Sequence, residues 1–384
     1  MNLTAAPWNP SRATAWRWAT QEAMRVAVFG MLYYLLAAFS AGLPIQTRLP
    51  LFIYPANGLA LGVLLVTPKR RWLPRLAAVL VANLVLGLGL GVPFARTLAS
   101  ALIAAATPLF AALLLRRFAG PRVRIETTSG VARFLLVVFP VMALFSLPDA
   151  LFSLYHFDAP FYEQWLVVFI SGTLGMLVMA PLVLAWTRRG VRAAWVTIRS
   201  RAPELALMYA GLLVSTQVVF GVGSDSPGYV PGLGYLCAPF FVWAALRFGL
   251  RASTISLSIF SLFCYWHTSF GYGPFILDHS ADWRSMMHLQ GYLIVIIVTT
   301  LLASALVVER RQAAVASEAW QRRYEAVIRA SGNLVYDLDP ATGRLRWVGD
   351  TQAVLGLDAR ALAYLPDWVA RVHPDDHDRL SNVR

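Results

Sequence analysis

The positive charges of this chain follow a periodic pattern. Ten apolar stretches run through residues 1–308, and Arg and Lys fall almost entirely in every second gap between them. Basic loops stay on the cytoplasmic side of a membrane during insertion. The pattern therefore predicts a multi-pass protein with a cytoplasmic N-terminus and, after ten crossings, a cytoplasmic C-terminus. The cytoplasmic side carries Arg12, Arg17, Arg25, Lys69, Arg70, Arg71, Arg75, Arg116, Arg117, Arg122, Arg124, Arg133, Arg188, Arg189, Arg192, Arg199, Arg201, Arg247 and Arg251; the other side carries Arg48, Arg96 and Arg284.

Each predicted span needs about 20 residues to cross a ~30 Å hydrocarbon core. The second, fifth and eighth stretches are short, and the second and eighth are the weakest. If neither of those two crosses fully, eight crossings remain and the C-terminus is still cytoplasmic. The expected fold is an α-helical polytopic membrane bundle with about ten, or else eight, transmembrane helices. The predicted spans are 23–43, 51–67, 73–92, 95–117, 130–147, 163–186, 203–222, 231–248, 252–270 and 288–308.

Composition supports the membrane class. The chain is 58% hydrophobic and only 14% charged, yet its formal net charge is +13. Residues 309–384 hold as many acidic as basic residues, so the positive surplus belongs to residues 1–308. We therefore expect the lipid bilayer as the partner of these charges, with no nucleic acid. Cys237 and Cys264 both lie in predicted spans, which indicates no disulfide framework and no metal site.

The segments that flank the spans have their own character. Residues 1–22 mix Trp with Arg, as expected of a cytoplasmic or interfacial segment that is not cleaved. Residues 309–331 are polar and helix-prone and contain no Gly or Pro, so the last span should continue as one helix, from about Leu301 to Ala330, into a signalling linker. Apolar residues recur there every seven positions, which fits either a short coiled coil or an ordinary amphipathic linker. The recurring residues are Leu306, Ala313, Trp320 and Val327, with Ala316 and Tyr324 nearby.

Residues 332–384 have the pattern of a small α+β unit. Alternation around Tyr336 predicts one strand, residues 339–343 a turn, and residues 344–348 a second strand that completes a hairpin. Two short helices should follow at 351–357 and 359–363. His373, Pro374, Asp375 and Asp376 then begin another helix, because Pro suits the first helical position and carboxylates stabilise a helix N-terminus.

Three stretches of the membrane part resemble a known family. They are Tyr54 to Gly62 followed by Arg71-Trp-Leu-Pro74 and Asn83; Gly172 to Gly175 with Pro181 to Trp186; and Ala238 to Gly249 with Gly271 to Phe275. In this order they resemble the type-one membrane-associated sensor domain of bacteria, the MASE family, over residues 23–310. The chain departs from the usual pattern at Tyr54 and Ala56, where the family usually has Trp and Pro.

The C-terminal part is similar to the beginning of a PAS domain. The similarity rests on Tyr336-Asp337, Gly343-Arg344, Leu355-Gly356 and the PAS motif residues Trp347, Trp368, His373, Pro374, Asp375 and Asp376. It implies an incomplete PAS unit at 332–384, in which Trp347 and Trp368 belong to the core. In the family, such sensors usually lead to a histidine kinase, a GGDEF diguanylate cyclase or an EAL phosphodiesterase, and none of these is present here.

Candidate site residues lie where polar groups interrupt apolar stretches. Tyr54, Pro55, Asn57 and Gly58 open the second stretch, and Asn83 lies in the third. Broken helices and polar groups at depth occur beside cavities or partner helices. One interpretation is that these residues line a signal-binding cleft in the outer half of the bundle. The other is that the two Asn side chains only connect helices, at roughly 0.6 kcal/mol per hydrogen bond.

Other functions fit the sequence less well. Four His residues fall on the outer side (His156, His267, His279 and His288), but their spacing matches no metal motif. No catalytic constellation is legible, so we expect no enzyme activity and no cofactor in this chain. The favoured function is the sensory input module of a bacterial inner-membrane receptor, a homodimer that responds to an unidentified small-molecule or membrane-derived stimulus. The alternative is a polytopic transporter or channel with a regulatory PAS appendage.

Overall fold

A computed structural model describes residues 12–47, 53–120, 123–151, 160–187, 200–221, 233–276 and 283–376. The chain divides into a membrane unit, Met1–Glu309, and a C-terminal unit, Arg310–Arg384. The elements in chain order are α1 (Arg12–Thr47), α2 (Pro55–Val66), α3 (Trp72–Gly89), α4 (Phe94–Ala119), α5 (Thr128–Phe145), α6 (Phe161–Thr187), α7 (Ala202–Phe220), α8 (Ala238–Trp243), α9 (Leu250–Ser269), α10 (Trp283–Ser331), β1 (Val335–Asp339), β2 (Arg344–Val348), α11 (Thr351–Leu355) and α12 (Leu365–Val369).

The membrane unit is a bundle of apolar helices. Among the described residues, 7 helices are long and apolar enough to cross a bilayer. Each of the ten predicted stretches contains helix, but α2 is only 12 residues long, and residues 233–248 are divided into 3-10, α and π segments. The prediction of a multi-pass helical bundle is therefore supported, while the number of crossings stays a prediction. The two weakest predicted spans are the ones that contain only short helices.

Helix α2 lies in the middle of the bundle. It contains no charged residue, and ten of its 12 residues are buried. A helix that is apolar on all sides must be surrounded by protein or lipid. At 1.5 Å per residue, α2 is only about 18 Å long, much less than the hydrocarbon core. Because both of its ends lie within the protein, its terminal backbone groups need protein partners.

The rest of the membrane unit packs around a continuous apolar core. Fully buried side chains from α5, α6, α7 and α9 meet there, among them Phe134, Leu174, Phe220 and Phe260. Large apolar side chains also cover the outside of the bundle, where Leu136 and Leu207 are strongly exposed. Lipid tails are as apolar as these side chains, so this surface is suited to a bilayer.

Helix α10 runs without interruption for 49 residues. The prediction of one continuous helix from Leu301 to Ala330 is confirmed. The helix ends at Ser331 because Gly332 follows with a backbone φ of +66°, the left-handed conformation that terminates helices at glycine. The last span and the linker are thus one secondary-structure element.

The C-terminal unit contains a two-stranded antiparallel sheet. Strands β1 and β2 form the hairpin that the sequence predicted, and their register places Tyr336 opposite Trp347. The hairpin turn is closed by the Asp339 carboxylate, which accepts hydrogen bonds from the Ala341 amide and the Thr342 hydroxyl. These two bonds hold the pKa of Asp339 below its ordinary value.

The aromatic residues of the PAS motif form a small cluster in this unit. The rings of Trp347 and Trp368 meet edge to face at 5.1 Å, and the Trp347 indole donates to the Leu362 carbonyl oxygen at 2.8 Å. His373, Pro374, Asp375 and Asp376 are exposed, and residues 374–376 form a 3-10 turn where the sequence predicted the start of a helix. The remainder of that helix lies outside the described residues. Two strands do not define a PAS fold, so the PAS assignment remains a prediction.

Candidate functional site

Four polar side chains in the membrane unit form one hydrogen-bonded chain. The Tyr54 hydroxyl donates to Asn83 Oδ1 at 3.0 Å, and Asn83 Nδ2 donates to the Tyr33 hydroxyl oxygen at 3.0 Å. The Tyr33 hydroxyl then donates to Asn57 Oδ1 at 3.4 Å. We call Tyr33, Tyr54, Asn57 and Asn83 the polar cluster. It joins α1, the start of α2 and α3 inside the membrane unit.

The local sequence explains how these side chains meet. Pro55 occupies the first turn of α2, where its missing N–H costs nothing, and so fixes where the helix begins. The amide of Tyr54, just before it, donates to the Ser171 carbonyl oxygen of α6 at 3.2 Å. Asn57 lies about half a helical turn after Pro55, and its side chain is buried. Asn83 is fixed in α3 by a second bond from its Nδ2 to the Val79 carbonyl oxygen at 2.9 Å.

Glycine residues set the position of α2 against α6. A Cβ atom on Gly58 would lie 2.1 Å from the Gly175 carbonyl oxygen, and one on Gly175 would lie 2.1 Å from that of Tyr54. Neither distance is compatible with a side chain, so both positions require glycine. Gly62 lies one turn after Gly58, and a Cβ atom there would come too close to the Val183 side chain of α6. This small-residue face allows close backbone approach, as in other membrane helix pairs.

The other end of α2 is held by a cation and an indole. Arg116 Nη2, from α4, donates to the carbonyl oxygens of Leu64, Leu65 and Thr67 at 3.0, 3.2 and 2.6 Å. The Trp72 indole N–H donates to those of Leu64 and Thr67, and Arg116 lies 4.6 Å from the Trp72 ring centroid. The carbonyl groups at the end of this buried helix are thereby satisfied.

The polar cluster is chemically neutral. Two phenols and two amides can donate and accept hydrogen bonds, but they supply no nucleophile, no metal ligand set and no general base at neutral pH. A ligand at this site would be recognised by hydrogen bonds, and it would have to exchange them with bonds that the cluster already makes.

The structure brings together three of the five predicted site residues. Tyr54, Asn57 and Asn83 share the hydrogen-bonded chain, whereas Pro55 and Gly58 act by placing α2. Tyr33, the buried residue that connects the two asparagines, was missed because a tyrosine in an apolar helix gives no distinctive signal. Arg116 was missed because, next to Arg117, it looked like one more cytoplasmic charge.

A second contact that the sequence did not indicate joins α10 to the rest of the bundle. The carboxylate of Glu309, in α10, accepts hydrogen bonds from the Thr128 backbone amide at 3.0 Å and the Thr128 hydroxyl at 2.9 Å. Thr128 is the first residue of α5, just after the N-cap Thr127, so the Glu309 carboxylate binds the start of that helix. One turn earlier in α10, the Ser304 hydroxyl donates to the Ser253 hydroxyl oxygen of α9 at 2.9 Å.

The outer histidines do not converge in the described parts of the chain. His267 hydrogen-bonds the Gln217 side chain, and His288 contacts a carbonyl oxygen of its own helix. His156 and His279 lie outside the described residues. Within those residues there is no group of three His, Cys, Asp or Glu side chains placed to hold a metal ion.

These features together define a multi-pass helical membrane domain with a buried neutral polar cluster and one long helix leaving it. The MASE1 family model matches residues 25–311, which is most of the chain. The chain therefore belongs to the MASE1 family, whose members are membrane-associated sensory domains of signalling proteins. The resemblance predicted for residues 23–310 is confirmed. A search of curated proteins and a search of solved structures each found no match.

Proposed function

We propose that this chain is the sensory input module of a bacterial inner-membrane receptor. A stimulus alters helix packing in the membrane unit, and α10 conveys the change to a cytoplasmic PAS unit and an output domain. The observation that carries the proposal is that the MASE1 match ends at residue 311, while α10 continues unbroken to Ser331. The element that crosses the membrane is thus also the element that reaches the C-terminal unit.

The polar cluster is the proposed site of the stimulus. It joins α1, α2 and α3, and α2 in turn packs against α6 through Gly58 and Gly175. A small neutral molecule that exchanged hydrogen bonds with Asn57 or Tyr33 would therefore change the placement of a central helix. A ligand shifts an equilibrium between two states only by the difference in its affinity for them. The long hydrogen bond from Tyr33 to Asn57 is the one that we expect a ligand to replace.

The contact between Glu309 and Thr128 is the proposed transmission point. It lies at the last residue of the membrane unit, where α10 leaves the bundle. A rotation of α10 by one residue would turn the carboxylate by about 100° and break both hydrogen bonds. Two packing states of the bundle would then differ in whether Glu309 holds Thr128 at the start of α5.

Residues 310–331 support a homodimer. This part of α10 follows the predicted span 288–308 and is polar, yet the apolar side chains of Trp320 and Val327 are 68% and 67% exposed. Together with Ala313, Ser317 and Tyr324 they follow the three-and-four spacing of a coiled-coil seam, and Trp320 stacks on Tyr324 at 5.4 Å. Burial against the same face of a second copy would remove these side chains from water.

The direct test is a chimera with a catalytic output domain of known activity fused behind Arg384. If the bundle is an input module, Tyr33→Phe should change the output per molecule while the amount of membrane-inserted protein stays constant. A matched control is Tyr34→Phe, at the neighbouring position in α1 outside the cluster. Equal output from both variants and the parent would contradict the proposal.

Orientation is tested separately. A reporter active only in the periplasm should be silent when fused after Arg310 and active when fused near Asp158, a position outside the described residues. The reverse result would overturn the proposed cytoplasmic location of the C-terminus.

A further inference from the structure

One end of the α1–α3 pair carries a cluster of charges that the proposed function does not use. Glu22 of α1 contacts three guanidinium groups: Arg75 at 2.8 Å, Arg71 at 3.4 Å and Arg25 at 3.6 Å. The side chains of Arg75 and Glu22 are only 8% and 12% exposed, whereas that of Arg25 is 61% exposed. Arg75 also donates to the Arg71 carbonyl oxygen. The inner pair therefore fastens α1 to α3, and Arg25 faces outward.

The charges in this cluster do not cancel. Three guanidinium groups and one carboxylate leave a net charge of +2, and the exposed Lys69 and Arg70 stand immediately before Arg71. Met24 immediately precedes Arg25, Leu73 follows Arg71 by two residues, and both apolar side chains are strongly exposed. A patch of cations bordered by exposed apolar side chains is complementary to a molecule with an anionic head and an apolar body.

The height of the cluster in the membrane points to the same kind of molecule. The apolar span within α1 begins at Ala19 and the span that includes α3 begins at Lys69, so both start next to these charges. We therefore expect the cluster to lie at the level of the headgroups, on the side that the charge pattern predicts to be cytoplasmic. Basic pockets between helices at this level bind anionic lipid headgroups.

We infer that Arg25, Lys69 and Arg70 bind the phosphate of an anionic phospholipid, with the Glu22–Arg75 pair as the rigid base of the site. Guanidinium groups match phosphate oxygens in geometry and charge, and they release bound water more easily than ammonium groups do. The acyl chains of the lipid lie along Met24 and Leu73. The site does not depend on what the membrane unit senses.

The test is lipid retention by the purified chain, measured by native mass spectrometry and by titration of phosphatidylglycerol into phosphatidylcholine nanodiscs. The variant Arg25→Gln/Arg70→Gln removes two exposed cations and keeps the Glu22–Arg75 pair. The control Arg117→Gln/Arg124→Gln removes two exposed cations on the same predicted side, so both variants have the same net charge. We expect the cluster variant to lose affinity for phosphatidylglycerol about tenfold and the control to bind like the parent.

Equal losses in both variants would show a diffuse surface attraction and overturn the site. Absence of selective retention in the parent chain would overturn it as well. Displacement of the lipid by millimolar inorganic phosphate would show that the site takes a free anion rather than a lipid. If the double variant fails to fold, Lys69→Gln alone, at an exposed position in a 3-10 turn, should still weaken phosphatidylglycerol binding measurably.

Discussion

The carboxylate of Glu309 accepts hydrogen bonds from both the amide and the hydroxyl of Thr128, the first residue of α5. The two residues are 181 positions apart in the chain. One end of this contact is the first residue of a membrane helix, and the other is the point at which α10 leaves the membrane unit. The contact therefore ties α10 to the bundle at the proposed transmission point.

Glu309→Gln should loosen the first turn of α5. The charged acceptor is lost, and hydrogen bonds to charged groups contribute roughly 1.5–3 kcal/mol. We expect amide exchange at Thr128 to rise at least about tenfold, since 1.4 kcal/mol corresponds to a factor of ten. Glu318→Gln, on the exposed part of the same helix, is the control and should leave this exchange unchanged. Exchange that is unaffected by Glu309→Gln would remove the proposed transmission point.

The two asparagines of the polar cluster should differ in their effect on stability. Asn83 makes three hydrogen bonds, whereas Asn57 accepts one long bond from Tyr33. At roughly 0.6 kcal/mol per bond, Asn83→Leu should lower the free energy of unfolding by about 2 kcal/mol and Asn57→Leu by about 0.6 kcal/mol or less. Unfolding of the purified variants in detergent measures both. A larger loss for Asn57→Leu would contradict the observed bonding.

The same difference predicts a separation of signalling from abundance. Because Asn57 contributes little to stability, Asn57→Leu should change the output of a chimeric receptor more than it changes the amount of protein in the membrane. Output normalised to abundance, with Asn83→Leu as the comparison, measures this. If output only falls in step with abundance, Asn57 connects helices and takes no part in sensing.

Gly58→Ala should prevent α2 from packing against α6. The new Cβ would meet a backbone carbonyl oxygen at 2.1 Å, and a backbone atom cannot move aside without shifting a helix. Gly291→Ala is the matched control, because a Cβ at Gly291 meets no atom within 4 Å and lies inside α10. We expect loss of monodisperse protein for Gly58→Ala and a gain of roughly 0.5–1 kcal/mol for the control. Size-exclusion chromatography and thermal unfolding distinguish the two.

Arg116 and Arg117, at the end of α4, should differ in how much each contributes to the free energy of unfolding. Arg116→Met leaves the Leu64, Leu65 and Thr67 carbonyl oxygens without their cationic donor, which should cost roughly 1.5–3 kcal/mol. Arg117→Met changes an exposed residue and should stay within about 0.5 kcal/mol of the parent. Similar melting temperatures for the two variants would show that the end of α2 is not held as described.

The sequence was informative where local chemistry is unusual. Pro55, Asn57 and Gly58 interrupt an apolar stretch, and that interruption led to the polar cluster; the unbroken helix-prone linker led to α10. Tyr33, Arg116 and Glu309 gave no such signal, because their roles depend on which helices become neighbours. A pattern of charges predicts the order and direction of spans but contains no information on pairs such as Glu309 and Thr128. The short α2 shows the same limit: the sequence predicted that the second stretch is short, but not that Arg116 and Trp72 hold its end.

The linker should transmit the signal by its helical phase. Residues 310–331 continue α10, and side-chain direction turns by about 100° per residue in a helix. One residue inserted after Ala314 would therefore rotate the C-terminal unit against the membrane unit and disturb output, whereas seven inserted residues turn the helix through nearly two full turns. In the chimera, insertions of one to seven residues should give output that is lost at one and two and recovers in part at seven. Insertion of the same residues after Arg384, outside the linker, is the control. A flat response across the series would show a flexible tether, and transmission by rotation of α10 would then have to be abandoned.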